Sequence, residues 1–105
     1  MNFRIVFQTK AEQDLDGIEE YLSQFYPSTV TNFFIKLKEK VLRLKEQPYL
    51  YPVYEDDSYF RKMTVGDYLL FYNVNEKLEL VTVHRIFHSS RDINRQLPPN
   101  PLPPK

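Results

Sequence analysis

The spacing of the hydrophobic residues changes half-way along this chain. Between residues 11 and 44 they recur every three or four positions, in two stripes separated by Tyr26-Pro27. This spacing places apolar side chains along one face of each of two helices, and proline disfavours helical geometry in the residue before it. The first stripe is Ala11, Leu15, Ile18, Leu22 and Phe25; the second is Val30, Phe33, Phe34, Leu37, Val41 and Leu44. The polar face of the first helix is acidic and is expected to be solvated, and the second helix is basic.

Four strands flank these helices in the sequence. The alternation of Phe3, Ile5 and Phe7 predicts a short first strand, and three later runs are typical of strands joined by turns at Gly66-Asp67 and at 75–77. The later runs are Tyr59–Val65, Tyr68–Val74 and Leu78–His88. The predicted fold class is α+β: an N-terminal strand, then an antiparallel helical hairpin packed on a curved antiparallel sheet (β-α-α-β-β-β), then a short C-terminal helix. The second face of the sheet is expected to be free to bind.

Local signals predict where several of these elements begin. Thr9-x-x-Glu12 resembles a capping box for the first helix, and Ser28 is a candidate N-cap for the second. Gly17 is expected to weaken the first helix and to let a neighbour approach closely. Residues 47–58 are interpreted as a surface connection, and Ser89-x-x-Asp92 predicts a short helix that runs toward Leu97.

The 105 residues fit one domain, predicted over 1–97, with a proline-rich tail at 98–105. The absence of cysteine excludes a disulfide framework, a thiolate zinc site and a cysteine nucleophile. No stretch resembles a signal peptide or a transmembrane span, so a cytoplasmic location is expected. The 14 basic and 14 acidic residues are unevenly distributed, because residues 1–57 carry a net charge of −3 and residues 58–105 a net charge of +3. The chain lacks the overall positive charge that is typical of nucleic-acid binders.

Candidate chemistry gathers late in the chain. A phosphodiester-cleaving site needs a proton-transfer group and cations that hold the phosphate. His88 stands at a strand end, and the cations are Arg61, Lys62, Arg85 and Arg91. Alternation along the last strand places Arg85 on one face with Val81, Val83 and Phe87, and places His84 on the other face with His88. In the competing interpretation, His88 caps the following turn and Arg85 is a structural arginine bonded to carbonyls or to an acid.

No metal or cofactor site is predicted. His84 and His88 are about 13 Å apart along an extended strand, too far to share one metal ion. Two glycines in the whole chain do not make a glycine-rich phosphate loop.

Three segments give the chain a family resemblance over residues 3–97. They are Asp14-Leu15-x-x-Ile18-x-x-Tyr21-Leu22, Tyr68-Leu69-Leu70-Phe71-Tyr72-Asn73-Val74 and Val83-His84-Arg85-Ile86-Phe87-His88-Ser89-Ser90-Arg91-Asp92. In this order the chain resembles toxins of the RelE/ParE superfamily from type II toxin–antitoxin modules, whose fold is the one predicted above. The last segment is most similar to ParE-type members.

The ParE-like branch implies a plasmid-stabilisation toxin that arrests growth by binding DNA gyrase and is neutralised by a cognate antitoxin. In that case Arg85, His88, Arg91 and Asp92 are structural or contact a partner, and the protein is not an enzyme. The antitoxin would lay an amphipathic helix along apolar grooves, or add an edge strand to the sheet. Two assemblies stay open, a homodimer and a toxin–antitoxin hetero-oligomer.

Two alternatives stay open beside the gyrase-binding toxin. The first is a ribosome-dependent mRNA endoribonuclease of the RelE type, in which Arg61, Lys62, Arg85, His88 and Arg91 would surround the RNA. Leu69 stands where such nucleases resemble one another in having an arginine. The second alternative is a non-toxic co-repressor subunit that acts on DNA together with its antitoxin.

Overall fold

The computed structural model describes residues 2–90 and has the predicted α+β class. The elements, in chain order, are β1 (Arg4–Phe7), α1 (Thr9–Leu22), α2 (Pro27–Glu46), β2 (Val53–Tyr54), β3 (Asp57–Val65), β4 (Tyr68–Asn75) and β5 (Leu80–His88). Each helix and strand predicted within these residues is present, with ends that agree to within a few residues. The predicted C-terminal helix, Arg91 and the proline-rich tail lie outside the described residues.

All five strands belong to one sheet, in the order β1-β5-β4-β3-β2. The pairs β2–β3, β3–β4 and β4–β5 are antiparallel, whereas β1 runs parallel to β5. A parallel pair needs a long connection between its strands, and the helical hairpin with the β2–β4 segment supplies it. β4 lies in the middle of the sheet, as its almost uninterrupted apolar sequence predicts.

The main hydrophobic core lies between the helical hairpin and one face of the sheet. α1 contributes Ala11, Ile18 and Leu22, and α2 contributes Phe33, Leu37 and Leu44, all of them buried. These side chains pack against a row of buried residues on the sheet, which are Met63, Val65, Tyr68, Leu70, Tyr72, Val81, Val83 and Ile86. Both predicted apolar stripes therefore face the core, except that Phe25 lies beyond the end of α1 and is exposed.

The second face of the sheet carries a hydrophobic cluster of its own. Tyr54, Phe60, Phe71 and Phe87 form a second buried cluster there, with Tyr59 and Leu69 packed against it. The Tyr54 and Phe71 rings meet edge to face, with their centroids 5.0 Å apart. Four strands each place an aromatic ring on this face, and the expectation that the face is free to bind stays a prediction.

Three local predictions were wrong. The N-cap of α1 is Gln8, because β1 stays extended through the hydrogen bond from the Gln8 N–H to the Val83 carbonyl, and Thr9 is already helical. The N-cap of α2 is Tyr26, so that Pro27 takes the first helical position, where its fixed φ and missing N–H are tolerated. Residues 47–58 hold strand β2 rather than a plain connection.

No helix within residues 2–90 is long and apolar enough to cross a membrane.

Candidate functional site

A β-bulge in β5 determines which way the candidate site residues point. Phe71 of β4 pairs with Arg85, but the next β4 residue, Tyr72, pairs with Val83, so His84 has no opposite residue. An extra residue reverses the alternation of side chains beyond it. Val83 therefore faces the main core while Arg85 shares a face with Phe71, and the prediction that Arg85 lies with Val81 and Val83 was wrong. His88 lies on the helix-covered face, opposite His84.

Arg85 is bonded to the first helix. Its Nε and Nη2 donate to the two carboxylate oxygens of Asp14 on α1, at 2.8 and 2.9 Å. The same carboxylate accepts the backbone N–H of Ile86 at 2.9 Å. β1 ends at Phe7, opposite Val83, so the edge of β5 beyond that point has no partner strand on this side. The Asp14 carboxylate supplies a hydrogen-bond acceptor for one of the backbone N–H groups on that edge. The interpretation of Arg85 as a structural arginine bonded to an acid is confirmed.

His88 stands at the exposed end of β5. Its ring meets the Tyr68 ring edge to face, with the centroids 5.4 Å apart. The backbone N–H of Ser90 donates to Nδ1 of His88 at 3.2 Å, and the Ser90 hydroxyl lies 2.8 Å from the same nitrogen. Since a backbone N–H only donates, Nδ1 is the acceptor and neutral His88 carries its proton on Nε2.

A groove of about 530 Å³ opens beside His88, between α1 and the ends of β4 and β5. Its lining includes Gln13, Gly17 and Tyr21 on the helix side and Tyr68 and His88 on the sheet side. A Cβ added at Gly17 would meet nothing within 4 Å, so the expected close neighbour is absent and this glycine borders open space. Burial raises the pKa of Tyr68 above its ordinary value, so its hydroxyl stays protonated at neutral pH.

His84, the bulged residue, is a poor candidate for chemistry. Its ring packs against Phe60, with the centroids 5.3 Å apart, and against Tyr59 at 6.0 Å. Its Nε2 is buried without a hydrogen-bond partner, and burial lowers the pKa of His84 below the ordinary value of 6.5. At neutral pH His84 is therefore an uncharged packing residue.

Arg61 and Lys62 are adjacent on β3 and so point to opposite faces of the sheet. Nη1 of Arg61 donates to the Tyr51 carbonyl at 2.6 Å, and its guanidinium lies 5.0 Å from the centre of the Tyr49 ring. Nζ of Lys62 lies 3.3 Å from Oε1 of Glu55 and 5.4 Å from the centre of the Tyr54 ring. Both cations thus have partners within the domain.

Four of the five candidate nuclease residues can therefore be placed, and they do not form one cluster. Lys62 and Arg85 are on the second face, on either side of Phe71 in one cross-strand row. His88 is on the helix-covered face, as is Arg61, but Arg61 pairs with Tyr72 and His88 with Tyr68. Four residues along β4 separate these two positions by about 13 Å. No group of three His, Asp or Glu in residues 2–90 could hold a metal ion.

Comparison with known proteins identifies the family to which this chain belongs. The family described as ParE toxin of type II toxin-antitoxin system, parDE, matches residues 5–93. The chain belongs to the ParE toxin family. No curated protein sequence matches it.

Solved structures share the fold at low sequence identity. The chromosomal ParDE system from P. aeruginosa has a TM-score of 0.67 and 18% identity, over 82% of this chain and 95% of that one. A mutant of the E. coli toxin RelE in the free state has a TM-score of 0.66 and 15% identity, over 92% and 94% of the two chains. The RelBE2 toxin–antitoxin complex from Mycobacterium tuberculosis has a TM-score of 0.60 and 18% identity, over 84% and 99%. This ParE-family chain is thus a toxin of the RelE/ParE superfamily, and the fold does not separate the two branches.

Sequence reasoning did not identify the contribution of Asp14 to this family fold. Asp14 directly precedes Leu15 in the apolar stripe of α1, and a carboxylate at the border of a buried face needs a partner. That position was the available signal. The partner, Arg85, is 71 residues away and acquires its direction from the bulge, which no local pattern reveals.

Proposed function

We propose that this ParE-family toxin arrests growth by binding DNA gyrase rather than by cutting RNA, and that a cognate antitoxin neutralises it. The observation that carries the proposal is the state of Arg85. The guanidinium that a nuclease would use to hold a phosphate instead makes a two-point ion pair with Asp14, and both side chains are about 14% exposed or less. A scissile phosphate would have to displace a carboxylate that also holds β5 to α1.

The other candidate nuclease groups support the same proposal. Arg61 is held by a carbonyl and an aromatic ring on the face opposite Lys62. Leu69, at the position of a nuclease arginine, packs against the second cluster. Nδ1 of His88 accepts the backbone N–H of Ser90, so this nitrogen is already engaged within the domain.

A second surface has the geometry of an antitoxin site. β1 lies at the edge of the sheet, and a groove of about 500 Å³ runs between it and α2, lined by Val6, Val41 and Leu42 among others. The Arg4 and Gln8 N–H groups bond to Glu79 and Val83, so alternation turns the Ile5 and Phe7 backbone groups toward the open edge. An incoming strand could pair with this edge while its apolar side chains enter the groove.

The charge around this groove indicates the partner. Arg4 and Lys45 line it, and α2 as a whole carries five basic residues against two acidic ones. We propose that an acidic, amphipathic segment of the antitoxin occupies it. The RelBE2 proteins from Mycobacterium tuberculosis, which share the fold, form a toxin–antitoxin complex.

The test is to induce the chain without antitoxin in bacteria and to follow gyrase-dependent DNA breaks and fragmentation of translated messages in the same culture. We expect DNA breaks and intact messages. His88→Ala and Lys62→Ala should stay toxic to within about threefold, whereas loss of a catalytic acid or base costs a nuclease about 100-fold or more. Lys77→Ala, an exposed lysine on the β4–β5 turn, is the matched control. Message fragmentation that His88→Ala abolishes would contradict the proposal and assign the RelE-type activity.

A further inference from the structure

Three aromatic side chains project from the turn end of the helical hairpin, where α1 is joined to α2. Tyr21, at the end of α1, is 52% exposed, and Phe25 and Tyr26, in the link to α2, are 54% and 78% exposed. The Tyr21 and Phe25 rings contact each other edge to face, with their centroids 5.3 Å apart. We call these three residues the aromatic tip.

The aromatic tip continues the groove beside His88, since Tyr21 lines that groove as well. Together they form one strip along α1, with aromatic rings at the tip and a mixed polar and apolar lining in the groove, that no other part of residues 2–90 covers. Clustered exposed aromatic rings, unlike scattered exposed leucines, mark interaction surfaces, and aromatic residues are enriched among those that dominate binding energy.

The exposed surface of α1 is acidic. The exposed residues of α1 include Glu12, Asp16, Glu19 and Glu20, and none of these four forms an ion pair within the described residues. Glu19 and Glu20 lie in the last turn of α1, which has no basic residue. The partial negative charge of a helix C-terminus makes that position unfavourable for carboxylates in the free protein. A cationic partner would relieve this repulsion.

We propose that the aromatic tip is the surface with which this toxin binds its cellular target, and that the target presents an amphipathic segment rich in arginine and lysine. Apolar side chains of that segment would pack on Phe25 and Tyr26, and its cations would stack on the rings and pair with Glu19 and Glu20. This inference rests on the proposed function in one respect, that growth arrest comes from binding a protein.

Charge argues against two other occupants of the tip. Nucleic acid and the acidic antitoxin segment proposed above would both meet four carboxylates that form no ion pair within residues 2–90. A second copy of this chain could offer its basic helix α2, but the exposed apolar residues of α2 include Leu42, which lines the groove assigned to the antitoxin. The two surfaces therefore suit partners of opposite charge.

Binding is tested directly with two synthetic amphipathic helices, one of leucine and arginine and one of leucine and glutamate, by calorimetry on the full chain. We expect the arginine peptide to bind and the glutamate peptide not to bind. The double variants Glu19→Lys/Glu20→Lys and Phe25→Ser/Tyr26→Ser should each weaken the arginine peptide by about tenfold or more. Glu76→Lys and Leu78→Ser, which change exposed residues on the β4–β5 turn, should leave its affinity within about twofold. Equal losses in the tip and control variants would overturn the proposal.

Toxicity supplies an independent measurement. Both tip variants should lose killing on induction while their melting temperatures and antitoxin affinities stay at the wild-type values, and the two turn variants should stay toxic. Tip variants that kill as well as the wild type would overturn the inference and leave the proposed function intact. A wild-type chain that does not kill would refute the proposed function. The peptide measurement would still show whether the aromatic tip binds a cationic amphipathic segment. A wild-type dimer that Phe25→Ser/Tyr26→Ser converts to a monomer would assign the tip to a second copy and overturn the inference.

Discussion

Asp14 holds two parts of the fold together with one carboxylate. It neutralises Arg85 and accepts the Ile86 N–H, where β5 has lost its neighbour β1. A buried ion pair of this kind gives little net stability over an apolar pair, but a single remaining partner is costly because its charge is left without compensation. The fold of this chain therefore depends strongly on this contact without gaining much stability from it.

We expect Asp14→Ala to lower the free energy of unfolding by about 3–5 kcal/mol, because it leaves the Arg85 guanidinium and the Ile86 N–H unpaired. The double variant Asp14→Leu/Arg85→Met removes both charges and should recover the part of that loss that comes from the uncompensated guanidinium, while the Ile86 N–H stays unpaired. Urea denaturation of the wild type and the variants measures both values. A double variant that is as unstable as the sum of the two single variants would show that the two side chains act independently.

His84 makes stability depend on pH. Burial lowers the pKa of His84 in the folded state below its unfolded value near 6.5, so the unfolded chain binds more protons in this range. Its contribution to stability is therefore complete above pH 6.5 and is lost as the pH falls below that value. His84→Phe should reduce the loss of melting temperature between about pH 7 and pH 5.5. Parallel pH profiles for the wild type and the variant would contradict this assignment.

Within the secondary-structure elements and turns, replacement by alanine should have opposite effects on stability at the two glycines of the chain. Gly17 lies within helix α1, where an added Cβ meets open space, so Gly17→Ala should stabilise the protein by about 1 kcal/mol. Gly66 lies in the β3–β4 turn with φ +59°, where a Cβ is strained, so Gly66→Ala should destabilise it by about 1–2 kcal/mol. The midpoints of denaturant unfolding measure both effects. Shifts of the same sign in the two variants would contradict this prediction.

The elements themselves could be predicted from the sequence, because the two helical stripes and the runs around Gly66 are local patterns. Their ends were less predictable, since Gln8 and Tyr26 become N-caps through a sheet hydrogen bond and a proline rather than through capping side chains. The direction of β1 and the bulge at His84 depend on pairing between distant segments. Because His84 has no opposite residue in β4, simple alternation along β5 predicted the wrong face for Arg85. The predicted cluster of cations was wrong for the same reason.

At the scale of the whole molecule, the surface divides by charge. Helix α1 carries five acidic residues and one lysine and ends at the aromatic tip, whereas helix α2 carries an excess of basic residues beside the open edge of β1. The two proposed partners therefore bind different surfaces: an acidic antitoxin segment binds α2 and β1, and a basic target segment binds the aromatic tip.

Variants of the two surfaces should therefore separate the two functions. Val6→Glu/Leu42→Glu places negative charges in the β1–α2 groove, where they repel an acidic segment, and should weaken antitoxin binding by about tenfold or more while leaving toxicity unchanged. Such a variant would kill even when the antitoxin is co-expressed. Leu78→Glu, on the β4–β5 turn, is the control and should remain neutralised. Loss of killing and loss of antitoxin binding in the same variant would show that the two partners share one surface.

The most direct measurement is the supercoiling activity of purified gyrase titrated with the purified chain, with and without its antitoxin. We expect inhibition by the wild-type chain and equally by Lys62→Ala and His88→Ala, and relief of inhibition by the antitoxin. Undisturbed gyrase, together with cleavage of messages in a reconstituted translation system that His88→Ala abolishes, would refute gyrase as the target.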